Sequence, residues 1–202
     1  MSSELNDNSI PAANQKSFVS ELLDYVEIFI FSACAVLIIF SFFLRICRVD
    51  GPSMNQTLTH GEILITTNIA YEPQQRDIIV FHQTNEQRDR YNEPIVKRVI
   101  ATAGQYVKID FEKALVYVSN DAVFEETDIL NEQDYIYLDI GKWKMSGTLE
   151  TYVPQGKIFV MGDNRNNSAD SRGQDIGLVD TRRVLGKVIF RLFPFSKLTA
   201  FN

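Results

Sequence analysis

The sequence predicts a mainly β protein, an antiparallel β-sheet domain set behind one N-terminal transmembrane helix. Two observations carry this reading. A long uncharged apolar run stands near the N-terminus, and behind it short stretches rich in Val, Ile, Phe and Tyr recur between Gly, Asn, Asp and Pro without a helical period. At 202 residues the chain has room for one compact domain and an appendage, which excludes a large multidomain enzyme.

Residues 1–24 read as a polar tail, in which 17–25 can form an amphipathic lead-in helix. The anchor is placed at 25–47. Its centre, Ile28 to Leu44, carries no charge, and at about 1.5 Å per residue it just reaches the thickness of a bilayer core. The alternative is a buried core helix, but Phe, Ile and Leu occur all round it and leave no polar stripe to face water. Asp24 and Glu27 precede the run while Arg45 and Arg48 follow it, the wrong flanks for a cleaved signal peptide, so the segment is expected to be retained. Lys16 before the run against Arg45 and Arg48 after it mildly favours a cytoplasmic C-terminal side.

The β-rich body is placed at 48–202, with strands expected over Glu62–Ile69, Asp77–Phe81, Ile95–Ala101, Tyr106–Asp110, Ala114–Val118, Tyr135–Leu138, Lys157–Met161 and Val184–Phe193. The polar stretch Thr84–Pro94 and the acidic stretch Glu125–Asp134 read as loops. A net charge of -6 with interspersed Lys and Arg gives no basic face for nucleic acid. The only cysteines are Cys34 and Cys47, in or just after the apolar run, so no disulfide framework is readable. With only His60 and His82 no zinc spacing can be assembled, and a Ser-His-Asp triad is disfavoured.

Three stretches can carry chemistry. Gly51-Pro52 predicts a sharp turn that exposes the Ser53 hydroxyl, although a serine after Gly-Pro is more often only a turn residue. In Ile95-Val96-Lys97-Arg98-Val99-Ile100, strand alternation puts Lys97 on one face with Ile95 and Val99. Burial disfavours the ammonium, and a lysine half neutral near pH 8 has lost roughly 3.3 kcal/mol of differential stabilisation, the state a lysine general base requires. The commoner reading of such a lysine is a stem lying on a half-exposed strand with its charge in water. The third stretch, Gly162-Asp163-Asn164-Arg165-Asn166-Asn167-Ser168-Ala169-Asp170-Ser171-Arg172, is densely polar directly after an apolar strand, as a loop built only for solubility would also be.

Together, in this order behind one anchor, these stretches resemble the bacterial type I signal peptidase family over about Val49 to Leu192. The resemblance implies a serine endopeptidase in which Ser53 is the nucleophile and Lys97 the general base. It implies that Ser168 orients the Lys97 amine, that Asp163 pairs with Arg98, that Asp170 and Arg172 brace the loop carrying Ser168, and that Met54 helps wall the substrate pocket. The Ser53 N–H is the implied oxyanion donor; some relatives add a hydroxyl two residues earlier, where this chain has Gly51. Implied partners are the signal peptides of secreted preproteins, with small residues at the first and third positions before the cut, and the lipid bilayer, with secretion or pilus-assembly machinery as further candidates. No metal or organic cofactor is implied. A single-pass protein of the cell membrane is implied, its catalytic domain extracytoplasmic, against the small charge bias. Departures from the family pattern are Gln56 in place of proline, Thr102-Ala103-Gly104-Gln105 after the lysine strand, and a missing glycine before Asp77.

Two other classes compete. A non-proteolytic relative that assists assembly of exported surface proteins such as pilins would lack the catalytic pair, which this chain has. A soluble repressor of the Ser/Lys self-cleaving type would want a DNA-binding segment where the apolar helix stands.

Overall fold

A computed structural model describes residues 18–83, 94–143 and 145–201, and the chain divides into two units after Phe42. In the first unit α1 (Phe18–Phe43) is one continuous helix. Its 26 residues give a length of about 39 Å at 1.5 Å per residue, longer than a bilayer core. The segment Phe18–Ile39 is long and apolar enough to cross a membrane and buries nothing within the protein. The described part of the expected lead-in is thus the first turns of α1 itself, while the tail before Phe18 lies outside the described residues.

The helix stops four residues short of the expected end of the anchor. Leu44–Arg48 is strand β1, whose Ile46 stands across from Ile65 of β2 (Ile63–Thr67). The apolar run concealed this boundary because Leu44, Ile46 and Cys47 are as apolar as the helix. Ladder pairing to β2 wins there, since Cys47 packs against the core that β2 helps to form.

The second unit holds two antiparallel sheets. The larger runs β1-β2-β10-β3-β4-β8-β9, with β11 (Thr199–Ala200) added on β10. Its members are β3 (Ile78–His82), β4 (Pro94–Ala101), β8 (Lys157–Met161), β9 (Val179–Asp180) and β10 (Val184–Phe193). The smaller sheet has β5 (Tyr106–Asp110) between β6 (Leu115–Ser119) and β7 (Thr148–Tyr152). β3, β4 and β8 are nearly continuous apolar runs, because both of their faces are covered. Ile79, Phe81, Val99 and Val160 pack one cluster, Ile100, Phe159 and Met161 another, and Ile78 and Val80 a third.

Tyr135–Leu138 is not a strand. Tyr137 makes only a bridge, its N–H donating to the Asp163 carbonyl at 2.8 Å and its carbonyl accepting from the Arg165 N–H at 2.9 Å. The segment therefore serves the polar loop 162–172 and not a ladder. Of the expected loop Thr84–Pro94, residues 84–93 lie outside the described residues and Pro94 opens β4. β7 escaped the sequence reading because TLETY has only Leu149 as an aliphatic residue, in a strand whose alternate positions are exposed.

Candidate active site

Ser53 sits on a turn that the core holds from below. Its neighbour Met54 and, one turn later, Leu58 are buried with Val49, Leu64, Ile78 and Val188. The Asn55 N–H donates to the Pro52 carbonyl at 3.0 Å and the Leu58 N–H to the Met54 carbonyl at 2.8 Å, closing the turn. Gly51 enters it at φ +83°, a left-handed conformation that a residue with a Cβ adopts only with strain. With Met54 and Leu58 committed to the core, Ser53 is left half-buried with its hydroxyl free to face β4.

Lys97 stands in the middle of β4, directly across the ladder from Ile79 of β3. Its Nζ lies 2.7 Å from Oγ of Ser53 and donates to the Val96 carbonyl at 3.1 Å. The side chain is only 3 % exposed. Burial pulls its pKa from 10.5 down to about 8, against the opposing pull of Asp170 and Asp163 and with the help of Arg172. Both acids are already committed to arginines, so neither pins the amine as an ammonium. At that pKa about half of Lys97 is a neutral amine near pH 8, in contact with a hydroxyl.

Loop 162–172 clamps the serine turn. The Asn164 N–H donates to the Ser53 carbonyl at 3.0 Å, and Nδ2 of Asn164 to the Pro52 carbonyl at 3.1 Å. Asp163, fully buried, accepts from Nε and Nη2 of Arg98 at 2.9 and 2.7 Å and from the Thr57 hydroxyl at 2.5 Å. Asp170 forms the matching fork with Arg172, Nε to Oδ1 at 2.7 Å and Nη2 to Oδ2 at 2.8 Å. Burial works against the Asp170 charge, but Arg172 and the Gly162 N–H outweigh it and hold the carboxyl below its ordinary range.

The hydrogen bond expected from Ser168 to Lys97 is not formed. The Ser168 hydroxyl is buried without a hydrogen bond of ordinary geometry, although it lies near enough to Asp170 to favour that carboxylate. It packs on Gly162, where a Cβ would come within 2.5 Å of the Ser53 carbonyl oxygen. Lys97 meanwhile is satisfied by Ser53 and the Val96 carbonyl. Met54 lines a cleft of about 150 Å³ with Ser53 and Lys97, together with Val49, Asp50, Pro94, Ile95 and Val96. A larger cleft of about 490 Å³ between Tyr71, Thr102, Gln155 and Arg182 contains neither Ser53 nor Lys97.

Four contributors escaped the sequence reading: Thr57, Asn164, Glu132 and Arg165. Thr57 and Asn164 lay inside stretches already singled out, next to residues that drew more attention. Glu132 lay in an acidic segment read as a surface loop, yet it is 5 % exposed and paired with Arg165. Among the described residues no group of three or more His, Cys, Asp or Glu side chains is placed to hold a metal ion.

The family model "Signal peptidase, peptidase S26" matches residues 22–193. Signal peptidase IB of Staphylococcus aureus is 30 % identical over 186 residues, covering 88 % of this chain and 92 % of that protein. Signal peptidase I of Bacillus caldolyticus is 39 % identical over 157 residues, covering 74 % of this chain and 79 % of that protein. A crystal structure of a signal peptidase I from Enterococcus faecalis V583 is 26 % identical with a TM-score of 0.40, covering 58 % of this chain and 97 % of that one. With the family model spanning nearly the whole length, the chain belongs to the signal peptidase family, peptidase S26.

Proposed function

We propose that the protein is a membrane-bound serine endopeptidase that removes signal peptides from exported preproteins by a Ser53/Lys97 dyad. The observation that carries this is the 2.7 Å contact between the Ser53 hydroxyl and the amine of a buried lysine whose pKa lies at about 8. Neutral Lys97 takes the Ser53 proton as Oγ attacks the scissile carbonyl, and the resulting ammonium returns it to the leaving amine. Water then releases the acyl-enzyme. The Ser53 N–H is the proposed oxyanion donor, and Gly51 supplies no second hydroxyl. Ser168 offers Lys97 a hydroxyl partner once Ser53 has turned to the substrate. Asp163 with Arg98, and Asp170 with Arg172, keep the loop in register with β4.

The cleft of about 150 Å³ bounded by Met54 and Ile95 suits a side chain of one or a few carbons, in keeping with substrates that carry small residues before the cut. The named relatives are signal peptidases, which supports the same substrate class for this chain. α1 anchors the protein, and the catalytic unit lies on the extracytoplasmic side, where preproteins emerge.

The test is to incubate the detergent-solubilised full-length protein with a preprotein beside Ser53→Ala, and to sequence the new N-terminus. The parent is expected to cut after a small residue and the variant to lose activity. The rate should rise with pH through about 8 as Lys97 loses its proton. Cleavage that survives Ser53→Ala, or a chemistry-limited rate that stays flat across this range, removes the mechanism.

A further inference from the structure

Gly162 is gripped from both sides. Its N–H donates to Oδ2 of Asp170 at 3.0 Å, and its carbonyl accepts from Nε of Arg165 at 3.2 Å. Asp170 belongs to the fork with Arg172 described above. Arg165 belongs to a second buried pair: its Nη1 donates to Oε2 of Glu132 at 2.7 Å, and its Nη2 contacts Oε1. The Glu132 and Arg165 side chains are 6 % and 4 % exposed. Taking two such charges out of water is costly, a cost that an acid on a solvent-facing loop would avoid. The reaction written above makes no use of this pair.

Glu132 nevertheless reaches the dyad by two routes. One passes through Arg165 to Gly162, the residue whose missing side chain lets the loop touch the Ser53 carbonyl. The other passes through the Tyr135 hydroxyl, which donates to Oε1 of Glu132 at 2.9 Å. The Tyr135 ring lies against the Arg98 guanidinium, 4.1 Å from its centroid. Arg98 neighbours Lys97 on β4 and holds Asp163, which in turn accepts from Thr57 in the serine turn. One carboxylate thus touches both the loop that clamps Ser53 and the chain of contacts that leads to the strand of Lys97.

We propose that Glu132 is a positioning residue for the Ser53/Lys97 reaction: by holding Arg165 on the Gly162 carbonyl and Tyr135 against Arg98, it sets the separation of the nucleophile turn from β4. The inference rests on the dyad reading. A misplacement of about 1 Å at reacting groups can lower a rate by about a hundredfold, so a residue that never meets substrate can govern turnover.

The experiment uses full-length protein in detergent, one preprotein, and the variants Ser53→Ala, Glu132→Gln, Glu132→Asp and, as a control from the same acidic segment, the exposed Glu125→Gln. Glu132→Gln keeps the shape and removes the charge; Glu132→Asp keeps the charge and withdraws it by one methylene. Both are expected to lower kcat by about tenfold to a hundredfold with KM within about twofold of the parent. Glu132→Asp should melt close to the parent, and Glu125→Gln should match the parent throughout. Parent-like kcat in either folded Glu132 variant overturns the proposal. So does a fall in activity that only tracks the loss of folded protein, which a purely structural pair would give. Should Glu132→Gln fail to fold, Glu132→Asp decides alone. Undiminished cleavage by Ser53→Ala overturns the dyad itself and this proposal with it, a result distinguishable by the variant that gives it.

Discussion

The two sheets each carry a lysine in mid-strand, and the two have opposite fates. Lys97 on β4 and Lys108 on β5 both follow a valine in a short strand, in Ile95-Val96-Lys97-Arg98-Val99 and Tyr106-Val107-Lys108-Ile109-Asp110. Across the ladder, however, Lys108 faces Glu150 of β7, with Nζ 3.0 Å from Oε1, while Lys97 faces Ile79. Lys108 is the strand lysine of the ordinary kind, a third exposed, with its charge paired at the surface. Lys97 is dry, and its amine rests on a hydroxyl. What leaves one lysine a paired surface cation and the other a buried amine is the residue one strand away, which the local sequence does not contain.

Exchanging the same atoms in both places breaks the comparison most sharply. Lys97→Ala should lower kcat/KM by on the order of a thousandfold or more, since in the proposed reaction it removes the proton acceptor and leaves Ser53 a weak nucleophile. Lys108→Ala should leave cleavage within about twofold, measured on the same preprotein. A parent-like Lys97→Ala enzyme would show that the contact with Ser53 carries no chemistry.

The acids separate in the same way, with a smaller effect. Asp163→Asn leaves Arg98 as a buried unpaired cation and should destabilise the protein by about 3–5 kcal/mol. Glu150→Gln removes a partner that is 56 % exposed and should change stability by about 0.2–1 kcal/mol, less at high salt. Thermal melts of both variants at low and high salt check the pair. Equal shifts would mean that the buried fork of Arg98 and Asp163 is held no more tightly than a surface contact.

How far the sequence reached follows from the same distinction. The meeting of Ser53 with Lys97 and of Asp163 with Arg98 was expected through a resemblance carried by compact stretches in a specific order, whereas Asp170 and Arg172 were expected only to brace the loop and are found paired with each other. β3, β4, β5, β8 and β10 were legible as apolar runs between turn residues that the sheets pair and bury. The Glu132–Arg165 pair was hidden, since its members lie 33 positions apart and one of them sits in a segment that looks solvent-exposed. Tyr135–Leu138 has strand composition, but the Tyr135 and Ile136 N–H groups turn back to the Glu132 carbonyl and only Tyr137 bonds to loop 162–172, which composition cannot reveal. Leu44–Cys47 was assigned to the helix because a bilayer and a sheet core select the same residues there. The bond that the motif implies from Ser168 to Lys97 is not formed, and the Ser168 hydroxyl is buried against Gly162.

The burden of keeping Lys97 dry can be measured apart from catalysis. Its folded pKa of about 8 lies below the ordinary 10.5, so between these values the unfolded chain binds a proton that the folded one does not, and stability rises with pH through that window. Below about pH 8 both states carry the proton and the full penalty stands, on the order of 3 kcal/mol from the difference 10.5 − 8. Lys97→Met keeps the apolar stem and discards the amine. It should therefore be inactive yet more stable than the parent at pH 7, by up to about 3 kcal/mol, with the gain fading towards pH 10. Lys108→Met only forfeits an exposed pair and should lose about 0.2–1 kcal/mol at either pH. Melting curves of the three proteins at pH 7 and pH 10 read both effects together. If Lys97→Met is the less stable protein at pH 7, the folded site stabilises the ammonium on balance, and the Lys97 pKa is not depressed by burial.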